Sequence, residues 1–203
     1  MTADTQSRGI IGAMSDTARN VMIDSQLRPV GVGDRELIAA FRAVDREAFL
    51  PEGLKVLAYR DRAIPTNEGA LLAPAALGLL MQALQLGAGQ SLLIIGPGAD
   101  YAKALAIELG VDAVTVTGDK LTKGKAKDAP FDAILILGAI DELPKTIVDQ
   151  LADGGIIASG VADQGVTRLA VARKVGGCVA LDPFTDVQVP VLDQFSRKPA
   201  FTF

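Results

Sequence analysis

Gly96 and Gly98 are the residues whose type and spacing most directly indicate binding chemistry in this sequence. They follow the short apolar run Leu92 to Ile95 and precede a segment from Tyr101 to Leu109 in which apolar residues recur at helical spacing. Glycines let a ligand approach the backbone, and the free N–H groups at a helix start can bind its anionic groups. The stretch therefore predicts a strand, a glycine turn and a helix of Rossmann type, with a turn that binds nothing as the alternative.

Two residues in this turn depart from the usual dinucleotide-binding pattern. Asp100 stands where a third glycine is expected, and Pro97 removes one backbone N–H donor from the turn. The turn by itself therefore does not identify a ligand.

The composition limits the classes of partner. The chain has 203 residues, of which 49% are hydrophobic and 22% charged, with a net charge of -4, so we expect one globular domain, with or without an appendage. The negative charge argues against nucleic acid or an anionic membrane as a partner. The sequence also lacks the run of about 18 consecutive apolar residues that a membrane-spanning helix needs.

The absence of histidine restricts the chemistry further. With no histidine and one cysteine, Ser-His and Cys-His pairs and the usual zinc sites are excluded, so we predict no metal site and name no catalytic residue. The setting of Cys178 among small residues predicts a buried side chain. Residues 1–14 lack the features of a secretory signal, which predicts a disordered leader and a cytoplasmic protein.

The order of the predicted elements indicates an α/β fold. Residues 15–73 are expected to form an N-terminal helical segment, with an irregular surface loop with short local structure from Gly53 to Pro65. Residues 74–203 alternate helices and short apolar strands, which favours a parallel sheet with an antiparallel extension near the end of the chain. The predicted strands are Leu92–Ile95, Ala113–Thr117, Phe131–Leu137, Ile156–Ser159, Val166–Arg173, Cys178–Leu181 and Phe201–Phe203, and the predicted helices include one from Pro74 and one over Leu143–Leu151.

Several blocks resemble the protein-L-isoaspartate O-methyltransferase family. The blocks are MIDSQLRPVGVGDRELIAAFRAVDREAFLP, AYRDRAIP, APFDAILILGAIDELP and QLADGGIIASG, in the family's order. The resemblance implies a Rossmann-like fold that uses S-adenosylmethionine to methylate isoaspartyl carboxylates in a protein or peptide substrate. It also implies that Gly96, Gly98, Tyr101 and Asp119 bind the cofactor.

The sequence departs from this family at the residues that carry the chemistry. The family's polar Gly-Gln-Thr-Ile-Ser-Gln-Pro loop is EGALLAP here, with Leu72 at the serine and Ala73 at the glutamine. Leucine can neither donate nor accept a hydrogen bond. Leu72 therefore removes a polar group from the reaction site. Weak or absent cofactor binding is predicted separately, from Asp100, which adds negative charge near the expected methionine end of the cofactor, from Pro97, and from the shortened sheet described next.

One strand-helix unit is missing after the glycine turn. The connector from Thr117 to Pro130 has room for a single crossover only, so the predicted sheet is truncated and has an exposed edge that Lys120 to Lys127 would guard, or that a second copy would pair with in a homodimer. If the remaining strand binds the ribose, Thr117 replaces an acidic residue. If it is the next strand, Gly118 and Asp119 match the family's adenine-binding pair, and the spacing to the later Pro-Phe-Asp favours this second interpretation.

Local explanations compete with the functional ones. An aspartate in the position of Asp119 is more often a turn residue, and the lysines that follow it are typical of a solvated face. Helix capping and surface polarity explain Ser25, Gln26 and Arg28 as well as recognition of a peptide carboxylate does. Two function classes follow: a methyltransferase with reduced or lost activity or a changed substrate, and a non-catalytic protein of the same fold that binds a protein or peptide.

Overall fold

Six strands form the main sheet of the computed structural model, which describes residues 15–197. A separate hairpin, β1 (Ile64–Thr66) and β2 (Gly69–Leu71), precedes them in the chain. The sheet contains β3 (Ser91–Ile95), β4 (Asp112–Val116), β5 (Phe131–Ile140), β6 (Leu151–Asp163), β7 (Val166–Arg173) and β8 (Asp182–Asp186). Their order is β4-β3-β5-β6-β7-β8, the first four being parallel and the last two antiparallel to their neighbours.

The helices lie where apolar periodicity and capping residues place them. Helix α1 covers residues 15–22 and continues as a π-helical turn, Ile23–Leu27. Asp34 caps α2 by accepting a hydrogen bond from the Leu37 N–H at 2.9 Å. The further helices are α2 (Arg35–Ala43), α3 (Pro74–Ala83), α4 (Ala99–Glu108) and α5 (Lys145–Val148), and 3-10 turns occupy Arg46–Phe49, Glu52–Leu57, Gly118–Lys123, Ala126–Asp128 and Asp193–Phe195.

The two faces of the sheet are covered by different parts of the chain. On one face, α1 to α4 pack with alternate residues of β5 such as Leu135 in one apolar cluster. On the other, Ile134 packs with Leu121, Ile147 and Phe195 in a second cluster. Burial on both faces explains why the central strands are continuously apolar. The N-terminal helices share the first cluster with the sheet, and the division at residue 73 stays a prediction.

The truncation predicted from the connector length is confirmed. Within the described residues, β4 is the only strand between Leu109 and Phe131. The chain then forms two 3-10 turns, of which the first packs against α5, and the buried side chain of Gln150 holds the segment that joins them. Its Oε1 accepts from the Lys125 N–H at 2.6 Å and its Nε2 donates to the Lys123 carbonyl at 2.8 Å. The connector thus replaces a longer unit and covers part of the second face.

Other expectations need correction. The region expected to be an irregular loop ends in β1, and the EGALLAP segment contributes β2. No strand forms over Cys178–Leu181: Val175 and Cys178 pair across a tight turn, Cys178 is exposed rather than buried, and the strand begins at Asp182. Pro183 fits this strand because β8 is an edge. Helix α5 is shorter than predicted, and the leader at 1–14 and the strand at 201–203 lie outside the described residues.

Candidate functional site

The glycine turn adopts backbone conformations that only glycine accepts readily. Gly96 has φ +124° and Gly98, the N-cap of α4, has φ +74°. A Cβ on Gly96 would lie 3.2 Å from the Leu137 Cβ on the neighbouring strand. The turn thus lies at the carboxyl end of β3, the position where open α/β sheets bind ligands.

The β1–β2 hairpin covers this turn, which the sequence did not predict. A Cβ on Gly98 would lie 2.5 Å from the Leu71 Cδ1, and one on Gly69 would collide with the ring of Pro97. The side chain of Leu71 therefore lies directly over Gly98, in space that a ligand would need in order to reach the turn's backbone.

A cleft of about 400 Å³ opens beside the covered turn. It contains two exposed carboxylates, Glu68 and Asp100, and none of the described residues that line it is positively charged. Its lining residues are Ala48, Phe49, Leu50, Pro51, Thr66, Asn67, Glu68, Leu71, Gly98, Ala99, Asp100, Tyr101 and Thr117.

Tyr101 lies at the base of the cleft, inside an aromatic cluster. It is fully buried, with ring centroids of Phe41 and Phe49 at 6.3 and 5.4 Å and the Arg46 Cζ 5.0 Å from its own ring centroid. Burial raises the pKa of Tyr101 to about 12, although the nearby Arg46 charge opposes the shift. Its hydroxyl forms no hydrogen bond of normal geometry among the described residues, and the Arg46 guanidinium is the charged group beside it. Tyr101 is therefore a neutral packing residue at physiological pH and has no means of acting as a base.

The residues after β4 are only partly brought to the cleft. Thr117 lines it, whereas Asp119 is exposed two residues further on and is not among the lining residues. Because β4 pairs directly with β3, it occupies the place of the second strand of a Rossmann sheet, from which the acidic ribose ligand is expected to follow. Thr117 therefore follows the strand beside the glycine turn. Loss of either family strand would leave the remaining one in this place, so the interpretation favoured from the spacing stays a prediction.

A second cleft, of about 760 Å³, lies beyond the other end of the hairpin. It is bordered by loop residues Asp61 and Arg62, by Ala73 at the start of α3, and by the extended chain from Thr185 to Pro190. The two clefts share no described lining residue. Leu71 faces the first cleft, Ala73 faces the second, and Leu72 between them is 1% exposed and belongs to the core.

Neither membrane-spanning nor metal-binding features occur in the part of the chain described. No helix of residues 15–197 has the length and apolar character needed to cross a membrane. Those residues also contain no group of three or more His, Cys, Asp or Glu side chains arranged to hold a metal ion.

The sheet order, the glycine turn after its central strand and the cleft beside that turn define a Rossmann-like methyltransferase fold. Solved structures share this fold. A protein-L-isoaspartate O-methyltransferase superposes with a TM-score of 0.74 at 20% identity, covering 88% of this chain and 67% of that one. A putative enzyme of the same name from Plasmodium falciparum, in complex with S-adenosyl-L-homocysteine, superposes with a TM-score of 0.68 at 18% identity. The match covers 87% of this chain and 98% of that one.

Sequence comparison identifies the particular family. The protein-L-isoaspartate(D-aspartate) O-methyltransferase family model matches residues 17–118 and 106–195. A protein-L-isoaspartate O-methyltransferase of Methanoculleus marisnigri is 30% identical over 87% of this chain and 92% of its own length. A protein-L-isoaspartate O-methyltransferase 1 of Rhodopseudomonas palustris is 33% identical over 86% of this chain and 82% of its own length. The chain belongs to the protein-L-isoaspartate O-methyltransferase family.

The two matched segments overlap at residues 106–118, which contain β4. Such an overlap is expected when a single stretch resembles two successive parts of the family because the piece between them is missing. This explains why the sequence around Thr117 supported two interpretations.

Proposed function

We propose that this protein binds S-adenosylmethionine weakly and that its methyl transfer to isoaspartyl carboxylates is reduced or lost. The observation that carries the proposal is that Leu71 covers Gly98 while the two clefts share no described lining residue. Methyl transfer requires the attacking carboxylate oxygen to approach the methyl carbon in line, at roughly 3 to 3.5 Å. Clefts without a shared lining residue oppose that approach, and the apolar side chains of Leu71 and Leu72 offer no hydrogen bond to a carboxylate.

The cofactor side of the site fits the ligand incompletely. Gly96, Gly98, Tyr101 and Asp119 are the proposed contacts, but Leu71 covers Gly98, and Tyr101 offers a buried ring with no accessible hydroxyl. Thr117 supplies a neutral hydroxyl where the ribose diol would meet a carboxylate. Each lost polar contact is worth about 1 to 3 kcal/mol, so two of them weaken binding by roughly 30-fold or more.

Calorimetric titration with S-adenosylmethionine and S-adenosylhomocysteine, followed by a methyl-transfer assay on an isoaspartyl peptide, tests the proposal. We expect dissociation constants above the micromolar range and little methyl transfer. Asp100→Asn, which removes one carboxylate from the cleft, should tighten binding. Glu36→Gln is the matched control because Glu36 holds the same second position of a helix, α2, away from the cleft. Micromolar binding with turnover by the unmodified protein would refute the proposal.

A non-catalytic role in binding a protein or peptide is the second candidate. It is favoured by the larger cleft, which persists although its neighbours Leu72 and Ala73 have lost the family's polar groups. Titration of an isoaspartyl peptide and its aspartyl counterpart without any cofactor separates the two functions. Binding of peptide with no transfer supports the second candidate, and no binding of either peptide removes it.

We also propose a cytoplasmic location and a homodimer. The single cysteine is in line with a reducing compartment. The edge of β4 is free of a neighbouring strand in the described sheet, so a second copy could pair with it. Light scattering after gel filtration tests the dimer: a mass twice the 21.1 kDa of the chain is expected, and a monomer mass at high concentration would exclude it.

A further inference from the structure

Arg46 is a buried cation that the cleft chemistry does not use. Its side chain is fully buried, and burial lowers the pKa of its guanidinium below the ordinary value. It forms no ion pair within residues 15–197, and its Nη1 has no hydrogen-bond partner there. An unpaired buried charge costs folding free energy, so its presence calls for a geometric explanation.

The hydrogen bonds of Arg46 join the two ends of one segment. Its Nε donates to the Ala58 carbonyl at 2.7 Å and its Nη2 to the Leu72 carbonyl at 2.5 Å. The chain between these two carbonyls contains the β1–β2 hairpin. Since the guanidinium is planar and rigid, two bonds from it fix the separation and the direction of both ends.

The hairpin needs such support because little holds it together internally. Its two strands pair over only three positions, from Ile64↔Leu71 to Thr66↔Gly69, and isolated two-stranded ribbons are marginally stable. The guanidinium also lies over the ring of Tyr101 on α4, at 5.0 Å, a distance within the range of cation–π contacts. One side chain therefore connects the base of the hairpin to the helix that follows the glycine turn.

We propose that Arg46 is the positioning residue that holds the β1–β2 hairpin against the glycine turn and so sets the shape of the cleft. It acts through Ala58 and Leu72 and touches no ligand itself. The inference rests on the proposed function only for the identity of the ligand in the cleft. The placement of the hairpin is independent of it.

Hydrogen exchange of the ligand-free protein tests this role. In Arg46→Lys, a single ammonium group replaces the guanidinium and cannot make both of its hydrogen bonds. Hairpin amides should then exchange at least about tenfold faster, while the exchange rates of β3 and β5 amides should change only as far as global stability changes. Arg19→Lys is the matched control: Arg19 is 7% exposed and donates to the Arg42 carbonyl at 2.7 Å, but it bonds neither the Ala58 nor the Leu72 carbonyl. If Arg46 only contributed to global stability, the exchange rates of all amides would rise by the same factor, and that result would overturn the proposal.

Two further measurements keep the test decisive. If Arg46→Lys does not fold, the neutral Arg46→Gln is compared in the same way. In the unmodified protein, hairpin amides should already be protected by roughly 100-fold or more, and free exchange there overturns the proposal whatever the variants do. Titration with S-adenosylhomocysteine is a separate assay, so a protein that binds no cofactor refutes only the proposed function.

Discussion

The contact between Leu71 and Gly98 makes a quantitative prediction, because a methyl group added to Gly98 meets both a backbone and a steric penalty. At φ +74° an L-residue costs about 1 to 2 kcal/mol. The new Cβ would lie 2.5 Å from the Leu71 Cδ1 and 3.4 Å from its Cα, and relieving such overpacking costs about 1 to 3 kcal/mol. Gly98→Ala should therefore lower the free energy of unfolding by about 2 to 5 kcal/mol.

Gly118→Ala isolates the backbone part of this cost. Gly118 has φ +70° and nothing within 4 Å of its added Cβ, so it should lose only about 1 to 2 kcal/mol. Leu71→Ala alone should cost about 2 to 5 kcal/mol, since Leu71 is 3% exposed. The Gly98→Ala, Leu71→Ala double variant should be more stable than the sum of the singles by about 1 to 3 kcal/mol, because the steric penalty has gone.

Urea unfolding followed by far-ultraviolet circular dichroism is the suitable assay, as the chain has no tryptophan. The reasoning fails if the two substitutions are additive within about 0.5 kcal/mol, since Leu71 would then not cover the turn.

Three further predictions concern single side chains. Tyr101→Phe should leave stability at neutral pH unchanged within about 0.5 kcal/mol, because the hydroxyl forms no hydrogen bond of normal geometry. In the parent, stability should fall as pH rises from about 10 to 12, since the folded pKa of Tyr101 is raised to about 12 and the unfolded chain loses this proton first. Tyr101→Phe should abolish that fall, and a fall that persists in the variant contradicts the prediction. Asp132→Asn should reduce the loss of stability on acidification. The Ser91 N–H and hydroxyl donate to the Asp132 carboxylate and lower its pKa, and the stability that this carboxylate contributes is lost as pH falls through the lowered value. Equal urea midpoints at pH 7 and pH 3 in the parent would argue against this. Gln150→Ala should cost about 2 to 4 kcal/mol and expose the Lys125 amide to exchange, because its amide group holds the connector; an unchanged exchange rate there refutes the assignment.

The sequence predicted the parallel core and its glycine turn because those segments combine a clear apolar pattern with glycine at positions that require it. It also predicted the truncation, since chain length alone excludes a second crossover between Thr117 and Pro130. The order of β4 beside β3 was not predictable in the same way, because strand order is a long-range property and the local spacing matched two successive family segments.

The sequence reasoning failed where contacts between distant segments decide the structure. Leu72 and Ala73 predicted a loss of polar chemistry, but nothing local to this segment indicates that Leu71 covers Gly98 and that Leu72 enters the core. Arg46 gave no signal, because an arginine in a short helical turn is ordinarily solvated. The strand Asp182–Asp186 was not predicted either; it contains Pro183, which is compatible with an edge strand although it disrupts a central one.

The positions of Leu71, Leu72 and the connector link three departures from the family pattern. The sheet ends at β4 in the described residues, and the apolar end of the hairpin covers the glycine turn. Leu71 and Leu72 are 3% and 1% exposed, and burial of apolar surface stabilises the fold by about 25 cal/mol per Å². Restoring polarity at Leu72 alone should therefore destabilise the protein without restoring the cleft, because a hydroxyl at a position that is 1% exposed would be buried in an apolar cluster. Leu72→Ser tests this directly: a lowered urea midpoint with no gain in S-adenosylhomocysteine binding is expected, and a gain in binding would mean that Leu72 faces the site.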